Sequence, residues 1–105
     1  MLVFGLKNCD TCRKALKSLP DAQLLDVRSD GIPAEVLSQA LAEFGDSLVN
    51  TRSTTWRNLH DSERARPQLE LLEAHPSLMK RPLIVDGETM YLGWTQDTRA
   101  ALGVA

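Results

Sequence analysis

Two cysteines three residues apart, in Cys9-Asp10-Thr11-Cys12, sit where a short apolar run gives way to an amphipathic stretch. A thiol at the start of a helix faces unpaired backbone N–H groups and the positive end of the helix dipole, and both favour the thiolate. Lys7, Arg13 and Lys14 add positive charge, partly offset by Asp10. Cys9 is therefore the expected nucleophile. Cys12, within the first turn, is placed to resolve an intermediate through an internal disulfide. The competing reading is a pair of thiols packed as small hydrophobes. Zinc is disfavoured, because His60 and His75 are too widely separated to supply a second ligand pair. A Cys-x5-Arg phosphate loop is also absent, since Ala15 and Ser18 occupy the positions its arginine would need.

Two further segments carry chemistry. Asn50-Thr51-Arg52-Ser53-Thr54-Thr55-Trp56-Arg57 combines hydroxyls with two guanidiniums, which suits an oxyanion or a carboxylate. It reads equally well as a capped turn leading into an exposed helix face. Lys80-Arg81-Pro82 stands immediately before an apolar run, where the proline is either a cis residue or a simple strand start. His60 and His75 fall in loop-like contexts and are expected to be solvated.

The elements that must position these groups follow from hydrophobic periodicity and its breakers. Leu2 to Leu6 reads as a buried strand. A helix from Cys9 to Ser18 follows, with Ala15, Leu16 and Leu19 on one face, and ends at Pro20-Asp21. Gln23 to Val27 is a second strand, closed by turn chemistry at Ser29-Asp30-Gly31. Pro33 opens a helix in the favoured first-turn position, with Val36, Leu37, Ala40, Leu41 and Phe44 as its apolar stripe and Gly45 as its stop. Helix resumes around Pro67 to Ala74, where Leu69 and Leu72 face inward. Pro82 to Val85 is a third strand, Asp86-Gly87 a two-residue hairpin signal, and Thr89 to Leu92 the fourth strand. Thr95 caps a last helix ending near Gly103. The order is βαβ, a helical block, a hairpin and a helix, with the first two strands parallel.

The chain has 105 residues, 43% of them hydrophobic and 25% charged, and a formal net charge of −2. That composition excludes a disordered tail or a fibrous repeat and fits one small domain. The charge balance excludes a global attraction to nucleic acid or to an anionic membrane. The N-terminus has neither a cationic n-region nor a long apolar stretch, so the expected compartment is the reducing cytoplasm. There, two cysteines point to redox or nucleophilic chemistry rather than a disulfide framework.

Taken together, Lys7-Asn8-Cys9-Asp10-Thr11-Cys12-Arg13-Lys14-Ala15, Asn50-Thr51-Arg52-Ser53-Thr54, Lys80-Arg81-Pro82-Leu83-Ile84-Val85 and Leu92-Gly93 resemble the glutaredoxin-type arsenate reductase (ArsC) family, which also contains the Spx transcriptional regulators. The motifs occur in the family's order and span nearly the whole chain. The Asn50 to Arg57 stretch and Gly93-Trp94 look closest to the family's small YffB-like members, associated with glutathione-dependent thiol reduction. The resemblance implies an α/β, thioredoxin-like fold with a mixed four-stranded sheet, as a single domain over 1–105 with a helical insertion at about 33–79. It implies that Cys9 is the catalytic thiol, that Pro82 is a cis-proline facing it, and that Arg52 and Arg81 are the anion-binding arginines. Asn8 and Thr11, with Arg52, Arg81 and Pro82, are expected to contact substrate.

One departure bears on the chemistry. Trp94 stands where the family's arsenate reductases carry a further arginine, and those enzymes usually lack the second cysteine present here as Cys12. Both differences favour disulfide chemistry over arsenate reduction. The expected activity is a glutathione-dependent thiol–disulfide or arsenate reductase. It has no bound cofactor or metal, takes glutathione as co-substrate with glutaredoxin as a candidate partner, and acts on a small oxyanion or disulfide. The alternative is an Spx-like redox-sensing regulator that contacts RNA polymerase rather than DNA.

Overall fold

The computed structural model describes residues 1–104. The chain divides into two compact units, one formed by Met1–Asp30 together with the stretch from Arg81 onward, the other by Gly31–Lys80.

The first unit holds the sheet. Strand β1 (Leu2–Gly5) is central, because its Leu-Val-Phe run is apolar enough to be buried between two neighbours. It is followed by helix α1 (Asp10–Ser18) and strand β2 (Gln23–Asp26). Strands β3 (Leu83–Asp86) and β4 (Thr89–Leu92) form a hairpin, and a short helix (Gln96–Ala101) closes the unit. The strand order is β2-β1-β3-β4. β1 pairs parallel with β2, Val3 opposite Leu24, and antiparallel with β3, Val3 opposite Ile84. β3 and β4 pair antiparallel, completing the mixed sheet. Val3, Leu19 and Ile84 are buried at the centre of one core cluster, packed round by Leu16, Leu24, Tyr91 and Trp94 among others. The terminal helix is capped as its sequence predicts, the Thr98 N–H donating to Thr95 Oγ1 at 3.1 Å.

Hairpin register departs by one residue from the sequence reading. Asp86 still pairs with Thr89, so the two loop residues are Gly87 and Glu88. Only Gly87 has a positive φ, 63°, the pattern of a II′ turn rather than the I′ turn that Asp-Gly favours.

The second unit is helical. Ala34–Phe44 and Gln68–Ala74 pack against each other, and between them lie two single-turn helices, Thr54–Arg57 and Asp61–Arg64. Pro33 occupies the N-cap of the first helix, one position earlier than expected, since its ψ of 138° is extended rather than helical. Leu71 and Leu72 are the buried pair of the later helix, whereas Leu69 is only half-buried. A bridge between Val49 and Met79 ties the ends of this unit, supported by Asn50 N–H to the Leu78 carbonyl at 2.8 Å and Lys80 N–H to the Leu48 carbonyl at 2.7 Å.

Arg64 organises the single-turn helices. Its guanidinium donates to the carbonyls of Trp56 at 3.1 Å and Arg57 at 2.9 Å, and lies 5.6 Å from the centroid of the Trp56 ring. His75 is half-buried and bonded through Nε2 to Glu63 at 3.0 Å, so it is not the solvated side chain its Pro neighbour suggests. His75 and Arg66 together hold the Glu63 carboxyl below its ordinary range.

Among the described residues, no helix is long and apolar enough to cross a membrane.

Candidate active site

Cys9 is the N-cap residue of α1, with extended backbone (φ −96°, ψ 119°). Its N–H donates to the Leu6 carbonyl at 3.2 Å, and its own carbonyl accepts the first helical bond from Arg13 N–H at 3.0 Å. The loop before it is held by Arg13, whose Nε donates to the Lys7 carbonyl at 3.0 Å. A local sequence signal, the switch from strand to helix, thus sets the sulfur at a helix N-terminus.

The Cys9 side chain is half-buried and Cys12 is fully buried; both are free thiols. Burial by itself pushes the Cys9 thiol up. The Cys12 backbone N–H, the Cys12 thiol and the Arg81 guanidinium outweigh it, and hold Cys9 below the ordinary thiol value. Cys12 is affected in the opposite sense. Burial, and then the neighbouring Cys9 sulfur, push it up from 9.0 to about 11, although the Leu6 backbone bond and Arg81 act the other way. The two thiols therefore have different roles: Cys9 is poised to ionise, and Cys12 keeps its proton and presents it to the Cys9 sulfur. A buried thiol with so high a pKa is a poor attacking group at neutral pH.

The raised Cys12 pKa carries a stability consequence. The folded state favours the neutral thiol more than the unfolded state does, so that contribution is complete below 9.0 and is lost as pH rises towards about 11. Denaturant midpoints measured across that window are expected to fall more steeply for the native chain than for Cys12→Ala. Parallel curves would show that the thiol does not titrate in this way.

A cleft of about 460 Å³ opens beside the sulfur, lined by Leu6, Asn8, Cys9, Asp26, Arg28, Ser29 and Arg81. The structure thus brings Asn8 and Arg81 together with Cys9 and leaves Thr11 exposed on α1. Arg81 is half-buried and precedes buried Pro82 across a cis peptide bond. The Pro82 carbonyl accepts the Gly93 N–H at 2.8 Å, and Gly93 takes a φ of 81°. Trp94 follows and packs on the Val3, Leu19 and Ile84 cluster. The residue after Gly93 is therefore an aromatic anchor on the core cluster.

Arg52 belongs to the helical unit. There it lines a separate cavity of about 530 Å³ with Asp46, Ser47, Val49, Asn50, Thr51 and Lys80. Asn50 shapes the turn, its Oδ1 accepting the Arg52 N–H at 3.1 Å, and Ser53 caps the next helix by accepting the Trp56 N–H at 3.2 Å. The capped turn read from sequence is present, and it presents an exposed guanidinium.

Sequence reasoning missed Asp26, Arg28 and Ser29 on the far wall of the cleft. A signal was available: an acidic residue between Leu25 and Val27, inside an apolar run, is unusual unless it has partners.

A model of the ArsC family matches residues 4–102. An uncharacterised protein of Haemophilus influenzae is 43% identical over 103 residues, which is 90% of each chain. The global transcriptional regulator Spx of Listeria innocua is 28% identical over 105 residues, 90% of this chain and 80% of its own length. The solved structure of a YffB protein matches with a TM-score of 0.85 at 32% identity, covering 95% of this chain and 96% of the other. The α/β architecture with a mixed four-stranded sheet is that of these thioredoxin-like structures.

Proposed function

The chain belongs to the ArsC family, and on that premise we propose that it is a cytoplasmic, glutathione-dependent thiol reductase with Cys9 as nucleophile. The observation that carries this reading is the Cys9 sulfur at the N-terminus of α1, beside Arg81 and open to a cleft, with its thiol held below the ordinary value.

On a mixed disulfide of glutathione, the Cys9 thiolate attacks the glutathione sulfur. The S–S bond breaks, a Cys9–glutathione disulfide forms, and the departing thiolate takes a proton from solvent. A second glutathione thiolate then attacks the sulfur of the bound glutathione. This restores the Cys9 thiolate and releases oxidised glutathione, so one free glutathione thiol is consumed for each mixed disulfide reduced, and the substrate supplies the other half of the oxidised glutathione. Cys12 supports the cycle as a hydrogen-bond donor to the Cys9 thiolate rather than as the resolving thiol. Arg81 offsets the negative charge at the sulfur. Asn8 contributes to the cleft wall, and Pro82 sets the backbone beside Arg81.

Arg52 is assigned to binding the anionic part of the substrate on the strength of the family resemblance. Arg52→Ala is expected to lower kcat/KM by on the order of tenfold, mainly through KM, the effect of losing a charged hydrogen bond. An unchanged KM would remove Arg52 from the site.

The assay is glutathione-coupled turnover with glutaredoxin and glutathione reductase supplied, using a glutathione mixed disulfide and, separately, arsenate. Turnover of the disulfide supports the reading. Turnover that depends on arsenate extends the activity to the oxyanion despite Trp94, and turnover of neither substrate overturns it. Similarity to Spx favours a second reading, a redox-sensing regulator that binds RNA polymerase. Capture of purified polymerase that changes with oxidation of the chain would support it.

A further inference from the structure

The Asp26 carboxylate has no part in the chemistry above, yet both of its oxygens are held by backbone donors beside the cleft. It sits at the end of β2, 8% exposed. Oδ2 accepts the Lys7 N–H at 3.1 Å, and Oδ1 accepts the N–H groups of Arg28 at 2.9 Å and Ser29 at 3.3 Å. Its own N–H donates to Asp30 Oδ2 at 3.1 Å. Lys7 belongs to the loop that delivers Cys9 to the helix N-terminus, and Arg28 and Ser29 belong to the opposite wall of the cleft. One buried carboxylate therefore spans both walls.

We propose that Asp26 is a positioning residue for Cys9: it clamps the loop before the nucleophile to the turn after β2 and so fixes the sulfur against Arg81. The proposal rests on the reading of Cys9 as the reactive thiol. A carboxylate suits this place because each of its oxygens accepts from fixed backbone donors, and no neutral side chain of that size offers two acceptors. Asparagine keeps the shape and one acceptor. Its amide nitrogen would then meet either the Lys7 N–H or the Arg28 and Ser29 N–H groups, donor against donor, and one wall of the cleft would be released.

The test is alkylation of Cys9 by iodoacetamide as a function of pH, which needs neither disulfide, arsenate nor glutathione. The titratable and charged groups facing Cys9 are Cys12 and Arg81, with Asp26 and Arg28 along the cleft. Asp26→Asn, checked for native circular dichroism, is expected to react on the order of tenfold more slowly at neutral pH, the effect of a small misplacement of a reacting group. Its pH midpoint should move up, because the sulfur loses alignment with its donors. If Asp26 acted only as a nearby negative charge, its removal would move the midpoint down. A downward shift, or a rate within twofold of the native chain, overturns the proposal. If the variant does not fold, hydrogen exchange of the native Lys7 amide decides: protection supports the clamp, and free exchange overturns it. An inert Cys9 in the native chain would instead sink the reductase reading and this proposal together, whereas a reactive Cys9 unaffected by Asp26→Asn sinks the proposal alone.

Discussion

Cys9→Ser is expected to lower glutathione-coupled turnover by at least about a thousandfold, the loss seen when a covalent nucleophile is removed. The physical reason is ionisation. The backbone N–H and thiol of Cys12 and the Arg81 guanidinium favour the Cys9 thiolate over its neutral form. A serine hydroxyl in the same place stays protonated at any accessible pH and forms no disulfide. A thousandfold loss corresponds to about 4 kcal/mol of transition-state stabilisation. The substitution exchanges one sulfur for oxygen on a half-buried side chain, so the fold should be intact, and circular dichroism with a thermal melt checks that point. Native-like turnover in a folded Cys9→Ser protein would end the assignment. Cys12→Ser is the matched control. Its hydroxyl still donates to the Cys9 sulfur, so turnover should survive, whereas an internal-disulfide mechanism would lose it.

The second large effect is on stability. Gly5 is the last residue of β1 and is buried. A Cβ built on it would collide with Cys12 Sγ and lie 3.3 Å from Cys12 Cβ. Neither side can yield easily, because Gly5 is held by pairing opposite Asp26 and by the Val27 N–H donating to its carbonyl at 2.9 Å. Gly5→Ala is therefore expected to destabilise the chain by about 2–3 kcal/mol, in the range of overpacked cores, read from chemical denaturation. The clash is specific, and so is its remedy. Adding Cys12→Ala removes the sulfur and should recover more than half of the loss, a coupling that a double-mutant cycle measures directly. A Gly5→Ala protein as stable as the native chain would show that α1 moves freely against β1. Cys9 would then lack the fixed neighbour on which its depressed pKa depends.

Much of the architecture is legible in local patterning. Apolar runs broken by Pro20, Gly31, Gly45 and Gly87 mark the elements within a residue or so of their limits, because helix and strand periodicity and their breakers act over a few residues. The same is true of Cys9, since a cysteine at a strand-to-helix switch is at a helix N-terminus whatever the rest of the chain does. The misreadings share a cause. The placement of Leu71 rather than Leu69 in the helical core, the Gly87-Glu88 turn and the His75–Glu63 bond all depend on what an element packs or pairs with.

Which thiol stands at the helix mouth, the order of strands and helices, and the family were all readable before folding, since each rests on residue types at short spacing. The opposite shifts of the two thiols depend on packing that local patterning does not show. Cys12 is buried because Gly5, at the end of β1 and packed against it only once the helix folds back on the strand, leaves no side chain in its way. Asp26 joins both walls of the cleft because β1 and β2 run parallel, bringing the Lys7 N–H to the carboxylate. Burial and hydrogen-bond partners are set by neighbours across the sheet, and those neighbours exist only once the chain has folded.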